Sequence, residues 1–140
     1  VPSKYMLTGA LDQGTTMKTA YEDAEIHLYQ TGMGIVITPS LDLTALEAAE
    51  ADYTGYAALV VAAWLGPMLG EGSGALIWSG SQLFESDSPF SVQNVVAGWW
   101  IQTAGGTLVM AGSFDAPISM GNLGQSIPFE IYIPFGVNPT

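Results

Sequence analysis

Residues 127–135 alternate with a period of two: Ile127, Phe129, Ile131, Ile133 and Phe135 are separated by Pro128, Glu130, Tyr132 and Pro134. Side chains of an extended chain point to opposite faces in turn, so the pattern predicts a half-buried β-strand and excludes a helix. Its two prolines lack the N–H that an interior ladder needs, which predicts an edge position. The same parity reading extends over most of the chain.

In 107–114, Leu108, Met110 and Phe114 share one side, and Thr107, Val109 and Ser113 the other. Gln102-Thr103-Ala104-Gly105-Gly106 supplies the glycines of a turn back to 95–102, predicting a hairpin. Around 25–29, Ile26 and Leu28 fall on one face, which leaves His27 facing outward beside Glu25 and Tyr29. Gly32-Met33-Gly34 reads as a turn into a strand at Ile35-Val36-Ile37, broken at Pro39-Ser40. A further strand pair is expected at 56–65 and 75–85, joined by the Gly/Pro-rich stretch 66–74. One connector helix is predicted near 44–52, because Thr44 stands three residues before Glu47, the spacing of a capping box. About seven short strands and one helix predict an all-β fold, a single antiparallel β-sandwich with the jelly roll as one candidate form.

Charge narrows the function classes. The 140 residues hold 13 acids, two lysines, no arginine and one histidine, for a net charge of −11. So few bases cannot replace the counterions of a nucleic acid, nor hold an anionic membrane surface. Only 11% of residues are charged, against roughly 25% in an ordinary soluble domain. With 49% of residues hydrophobic, intrinsic disorder is excluded as well. The longest apolar run, Tyr56 to Leu65, is too short for a membrane-spanning helix, and the first residues lack the apolar core of a secretory signal.

The charges are also unevenly placed. Lys4 and Lys18 lie in the first 20 residues with Asp12, whereas residues 21–140 hold 12 acids and no Lys or Arg. The expected organisation is an extended N-terminal arm, 1–20, and a β-sandwich domain, 21–140.

Catalysis is poorly supplied. Without cysteine, His27 would have to serve as general base for any serine nucleophile, and no G-x-S-x-G elbow occurs. The carboxylate pairs Glu85/Asp87 and Glu22/Asp23 read as solvated loop residues. Calcium-loop, zinc and phosphate-cradle patterns are missing, so no catalytic, cofactor or metal residue is expected. The aromatics say more. Trp99 and Trp100 must point to opposite faces; with Val95, Ala97, Trp99 and Ile101 taken as the core side, Trp100 faces outward with Val96, Gly98 and Gln102. Residues 57–65 are apolar on both sides, with Leu59 and Val61 opposed to Val60 and Trp64, which suggests covering by another chain or by the arm. The candidate interface residues are therefore Lys4, Tyr5, Lys18, Trp64 and Trp100.

The run His27-Leu28-Tyr29-Gln30, the stretch from Pro39 through Leu43-Thr44 to Glu50-Ala51-Asp52, and Tyr53-Thr54-Gly55-Tyr56 carry a resemblance. So do Gly98-Trp99-Trp100-Ile101, Ala104-Gly105-Gly106-Thr107-Leu108 and Phe114-Asp115-Ala116-Pro117. Over residues 24–133 the chain resembles a group of small phage- and prophage-encoded β-proteins of the virion structural type. The resemblance implies a capsid decoration (cement) or tail-associated component, located in the virion after assembly in the host cytoplasm. Its motifs carry turns and strand pairs, so it transfers no functional residue. The expectation is a non-enzymatic decoration protein without cofactors, bound to the major capsid protein or neighbouring virion subunits. A closed homo-oligomer, with a trimer favoured, would hide its apolar faces. The alternative is a carbohydrate- or receptor-binding module of a tail or fibre, with Trp100 or a loop tyrosine as stacking platform.

Overall fold

The computed structural model describes residues 15–69, 75–86, 93–122 and 124–135. Nine strands follow in order: β1 (Ala24–Gln30), β2 (Leu59–Val61), β3 (Leu65–Leu69), β4 (Ala75–Trp78), β5 (Gln82–Glu85), β6 (Asn94–Gln102), β7 (Leu108–Met120), β8 (Ser126–Phe129) and β9 (Tyr132–Phe135). Two short helices join them, α1 over 15–20 and α2 at Leu43–Ala48. The sheets run β2-β1-β6-β7, β3-β4-β9 and β5-β8. The pairings β1–β6, β6–β7, β3–β4 and β4–β9 are antiparallel. The chain is thus all-β with antiparallel sheets, consistent with the sandwich class the alternation predicts.

The chain divides into two compact units. Among the described residues, one contains 15–23, 61–69, 75–82 and 129–135, and the other 24–60, 83–86, 93–122 and 124–128. The described end of the expected arm is helical, not extended: the Tyr21 N–H donates to Met17 O at 2.9 Å. It is also tied down, because Lys18 Nζ donates to Gly66 O at 2.5 Å and Trp64 Nε1 to Tyr21 O at 2.8 Å.

In the unit of β1, β6 and β7, the predicted hairpin is present. Gly106 turns it at φ 90°, and the Thr103 N–H donates to Thr107 O at 2.8 Å. Its parity is not uniform. Tyr29 pairs with Gly98 but Gln30 with Val96, so β6 carries one residue, Ala97, more than β1 and the sidedness of the strand reverses there. Val95, expected inside, is 45% exposed, whereas Val96 is fully buried. Downstream, both Trp100 and Ile101 are fully buried, since each face of the sheet is covered. The Trp100 face is covered by α2: Leu46 and Ala49 pack with Tyr29 and Trp100, and Ile35, Leu41, Leu43, Ala97, Leu108 and Ala111 surround them.

The helix itself starts earlier than Thr44 suggests. Asp42 is its N-cap, accepting the Ala45 N–H at 2.9 Å, and Ala49 closes it, three residues short of the predicted end. Asp42 takes this role because its carboxylate reaches the third residue on, as a cap requires. Ile35-Val36-Ile37 forms no strand; Val36 and Ile37 lie exposed in a loop.

Two further predicted strands are each broken. The 56–65 run splits into β2 and β3, with bends at 62–63, and Val60 and Leu65 are exposed. Gly66, expected in the connecting stretch, lies inside β3 at φ 101° and precedes a cis Pro67. A side chain at 66 would press within 3.0 Å of Leu76 O. The 127–135 run keeps its alternation, with Ile127, Phe129 and Ile133 buried and Pro128, Glu130, Tyr132 and Pro134 exposed. It nevertheless divides into β8, which pairs with β5, and β9, the edge strand beside β4. The break is held by Ser79: its N–H donates to Ile131 O and its Oγ accepts from the Ile131 N–H, both at 3.0 Å. A side chain replaces one rung of the ladder.

Candidate functional site

Two groups of residues stand out, one inside each unit. The first surrounds His27. Glu25, His27 and Tyr29 on β1 pair with Gln102, Trp100 and Gly98 on β6, so their side chains share the face that α2 covers. His27 is therefore only 8% exposed, not outward as its parity suggested. Its ring stacks on Trp100, and Trp100 Nε1 donates to Gln102 Oε1 at 2.9 Å. Nδ1 is paired with Glu50 Oε2, and Nε2 lies 3.4 Å from Glu25 Oε1. Tyr56 OH donates to the same Glu50 oxygen at 2.7 Å and accepts the Leu28 N–H at 3.2 Å.

Electrostatics follow from this geometry. Burial works against ionisation of Glu50, but the hydrogen bonds from His27 and Tyr56, with the charge on His27, hold its carboxyl below the usual range. Burial and the neighbouring Glu50 push the Tyr56 hydroxyl up, and burial pushes Tyr53 up to about 12. Glu50 also forms a bridge to Tyr29, and the Ala51 N–H donates to Leu28 O at 2.9 Å. Nearby, Asp52 and Asn94 clasp each other: Asn94 Oδ1 accepts the Asp52 N–H at 2.6 Å, and Nδ2 donates to Asp52 Oδ1 at 2.9 Å. These contacts pin the 50–56 segment to β1 and β6. Glu50 thus takes up both the imidazole of His27 and the phenol of Tyr56.

The second group is the outward face of the β3-β4-β9 sheet. Leu65, Trp78 and Tyr132 are directly opposite one another across its three strands. Met68, Leu76 and Pro134 form a second row on the same side. Leu65 is 46% and Tyr132 47% exposed, and Trp78 stacks on Tyr132 at 5.6 Å with planes 5° apart. Ala75, Ile77 and Ile133 on the other side are buried. The sheet is thus apolar on both faces, and the outward one carries no charged residue in either row. Both its edge strands contain a proline, Pro67 and Pro134, which hinders strand addition and leaves the face as the accessible feature.

Among the five residues expected at an interface, Lys4 and Tyr5 lie outside the described residues. Lys18 and Trp64 are brought together at the start of β3, where they hold residues 15–23 within their own unit. Trp64 is buried there against Tyr21, and Trp100 is buried under α2, so neither offers its ring to a partner. Sequence reasoning missed Leu65, Trp78 and Tyr132. Their signal was present in Ala75-Leu76-Ile77-Trp78, apolar at every position, and in Tyr132 and Pro134 on the outward parity of their run.

Among the described residues, no helix is long and apolar enough to cross a membrane, and no group of three or more His, Cys, Asp or Glu is placed to hold a metal ion. No protein family, curated protein or solved structure matches the chain.

Proposed function

We propose that this chain is a non-enzymatic virion structural protein, a capsid decoration or cement protein that stabilises a phage head through contacts between subunits. The observation that carries the reading is the uncharged outward face formed by Leu65, Trp78 and Tyr132 with Met68, Leu76 and Pro134. A contiguous exposed apolar patch is the usual mark of a protein contact. Burying such rows stabilises an assembly by roughly 25 cal/mol per Å² of apolar surface before the costs of association. The net charge of −11 on the rest of the chain keeps assembled particles apart in suspension. The partners on this reading are the major capsid protein or neighbouring copies in a closed homo-oligomer, with a trimer favoured, located in the virion after assembly in the host cytoplasm.

The stacked pair Trp78–Tyr132 favours a second reading, a carbohydrate- or receptor-binding module of a tail or fibre, with Tyr132 as the platform. Quantitative protein analysis of separated heads and tails tests the two. Decoration predicts the chain on heads in numbers matching capsid symmetry; its presence on tails alone would overturn that reading.

A further inference from the structure

We propose that the open edge of β7 over residues 108–113 accepts, as an added strand, residues 4–9 of a second copy of this chain. The inference deepens the assembly reading and rests on it. β7 ends the sheet β2-β1-β6-β7, and no described strand pairs with its outer side. Its two halves are built differently. Between the pairs Val96↔Ile118 and Gly98↔Ser113, residues 114–117 bulge opposite a single β6 residue, and this bulge contains Asp115 and Pro117. Bulges, charges and prolines are the devices that protect an edge from strand addition. Residues 108–113 hold no charge and no proline, and their one irregularity is the single extra residue Val109 between Leu108 and Met110.

A receptive groove runs along this uncharged, proline-free half. Leu108, Val109, Met110 and Ala111 form one wall, Ile37, Pro39 and Leu41 the other, around an open space of about 510 Å³. A strand laid there would meet backbone donors and acceptors on β7 and apolar side chains on both walls, the usual chemistry of β-strand addition.

Charge selects the occupant. Another copy's residues 21–140 hold 12 acids and no Lys or Arg, so that body is repelled. Lys4-Tyr5-Met6-Leu7-Thr8-Gly9 contains neither an acid nor a proline, and as a strand it sets Tyr5 and Leu7 on one side. Lys4 would find a carboxylate near either end of the groove. Asp42 follows Leu41, and Asp115 lies four residues beyond Ala111, both exposed.

The chain has no cysteine, so introduced thiols report this contact alone. Full-length Tyr5→Cys and Val109→Cys proteins are mixed, oxidised and resolved without reductant, with Tyr5→Cys mixed with Glu130→Cys as the background pair; Ala111→Cys replaces Val109→Cys should the latter melt early. We expect a mixed disulfide dimer forming at least tenfold faster than the background pair. A rate equal to background overturns the proposal. So does a Tyr5→Cys/Val109→Cys double variant that closes only within one chain. Failure is distinguishable from failure of the assembly reading. Heads that carry the chain while the disulfide stays at background sink the β7 acceptor alone, and heads lacking the chain sink decoration whatever the disulfide does.

Discussion

The His27 imidazole lies flat on the Trp100 indole, with ring centroids 4.7 Å apart and planes 6° from parallel. Each residue closes off a side of the other, with Glu50 paired to His27 Nδ1 and Gln102 Oε1 accepting from Trp100 Nε1. Two side chains that read as outward from parity alone thus make one buried stack.

This stack depends on an ionised Glu50. Its carboxyl is held below its ordinary 4.5 in the folded chain, so it contributes stability in full above about that pH, and the contribution fades as pH falls through the lower folded value. Urea midpoints of wild type and Glu50→Gln, compared from about pH 6 to pH 3, should differ by a constant amount above about pH 5 and converge below it. A gap independent of pH would contradict this assignment.

Glu50→Ala removes the acceptor for both His27 and Tyr56. Leaving part-buried donors unpaired costs about 1–3 kcal/mol. Chemical denaturation should show that loss, with Glu50→Gln the milder of the two.

Gly98 leaves no room for a side chain, because a Cβ there would overlap both Gly112 O and the Tyr29 hydroxyl. Gly98→Ala should therefore destabilise by about 2–4 kcal/mol, as a core clash against backbone does. Gly106→Ala, where nothing lies within 4 Å but φ is 90°, should cost about 1 kcal/mol. Thermal melts of the two variants check the order; equal shifts would contradict it.

Asp42, not Thr44, caps α2. Asp42→Ala should cost about 1 kcal/mol and Thr44→Ala much less. Equal effects in denaturation would restore the capping-box reading.

The element types were legible in the sequence because alternation is a local property. The 126–135 and 94–102 segments show it directly, as does the glycine turn at 103–106. What failed was sidedness and continuity. One residue of β6 inserted relative to β1, Ala97, moves Val95 and Val96 to sides opposite those predicted, and no local signal marks it. The break at Ile131 depends on Ser79, 52 residues away. The His27 site was missed for the same reason: Glu50 and Tyr56 reach it only through tertiary packing. The Leu65–Trp78–Tyr132 row needed strand register, although the apolar character of each strand was already visible.

Exposed rows that serve a partner can be charged without harming the fold. Leu65→Asp/Tyr132→Asp should melt within about 1 kcal/mol of wild type, as exposed substitutions do, while losing association with heads. Retained association would remove this face from the account.

Cryo-electron microscopy of phage heads tests the proposed decoration most directly. If the chain decorates heads, protein density from a neighbouring subunit should pack against Leu65, Trp78 and Tyr132. A particle in which that row faces solvent would contradict it.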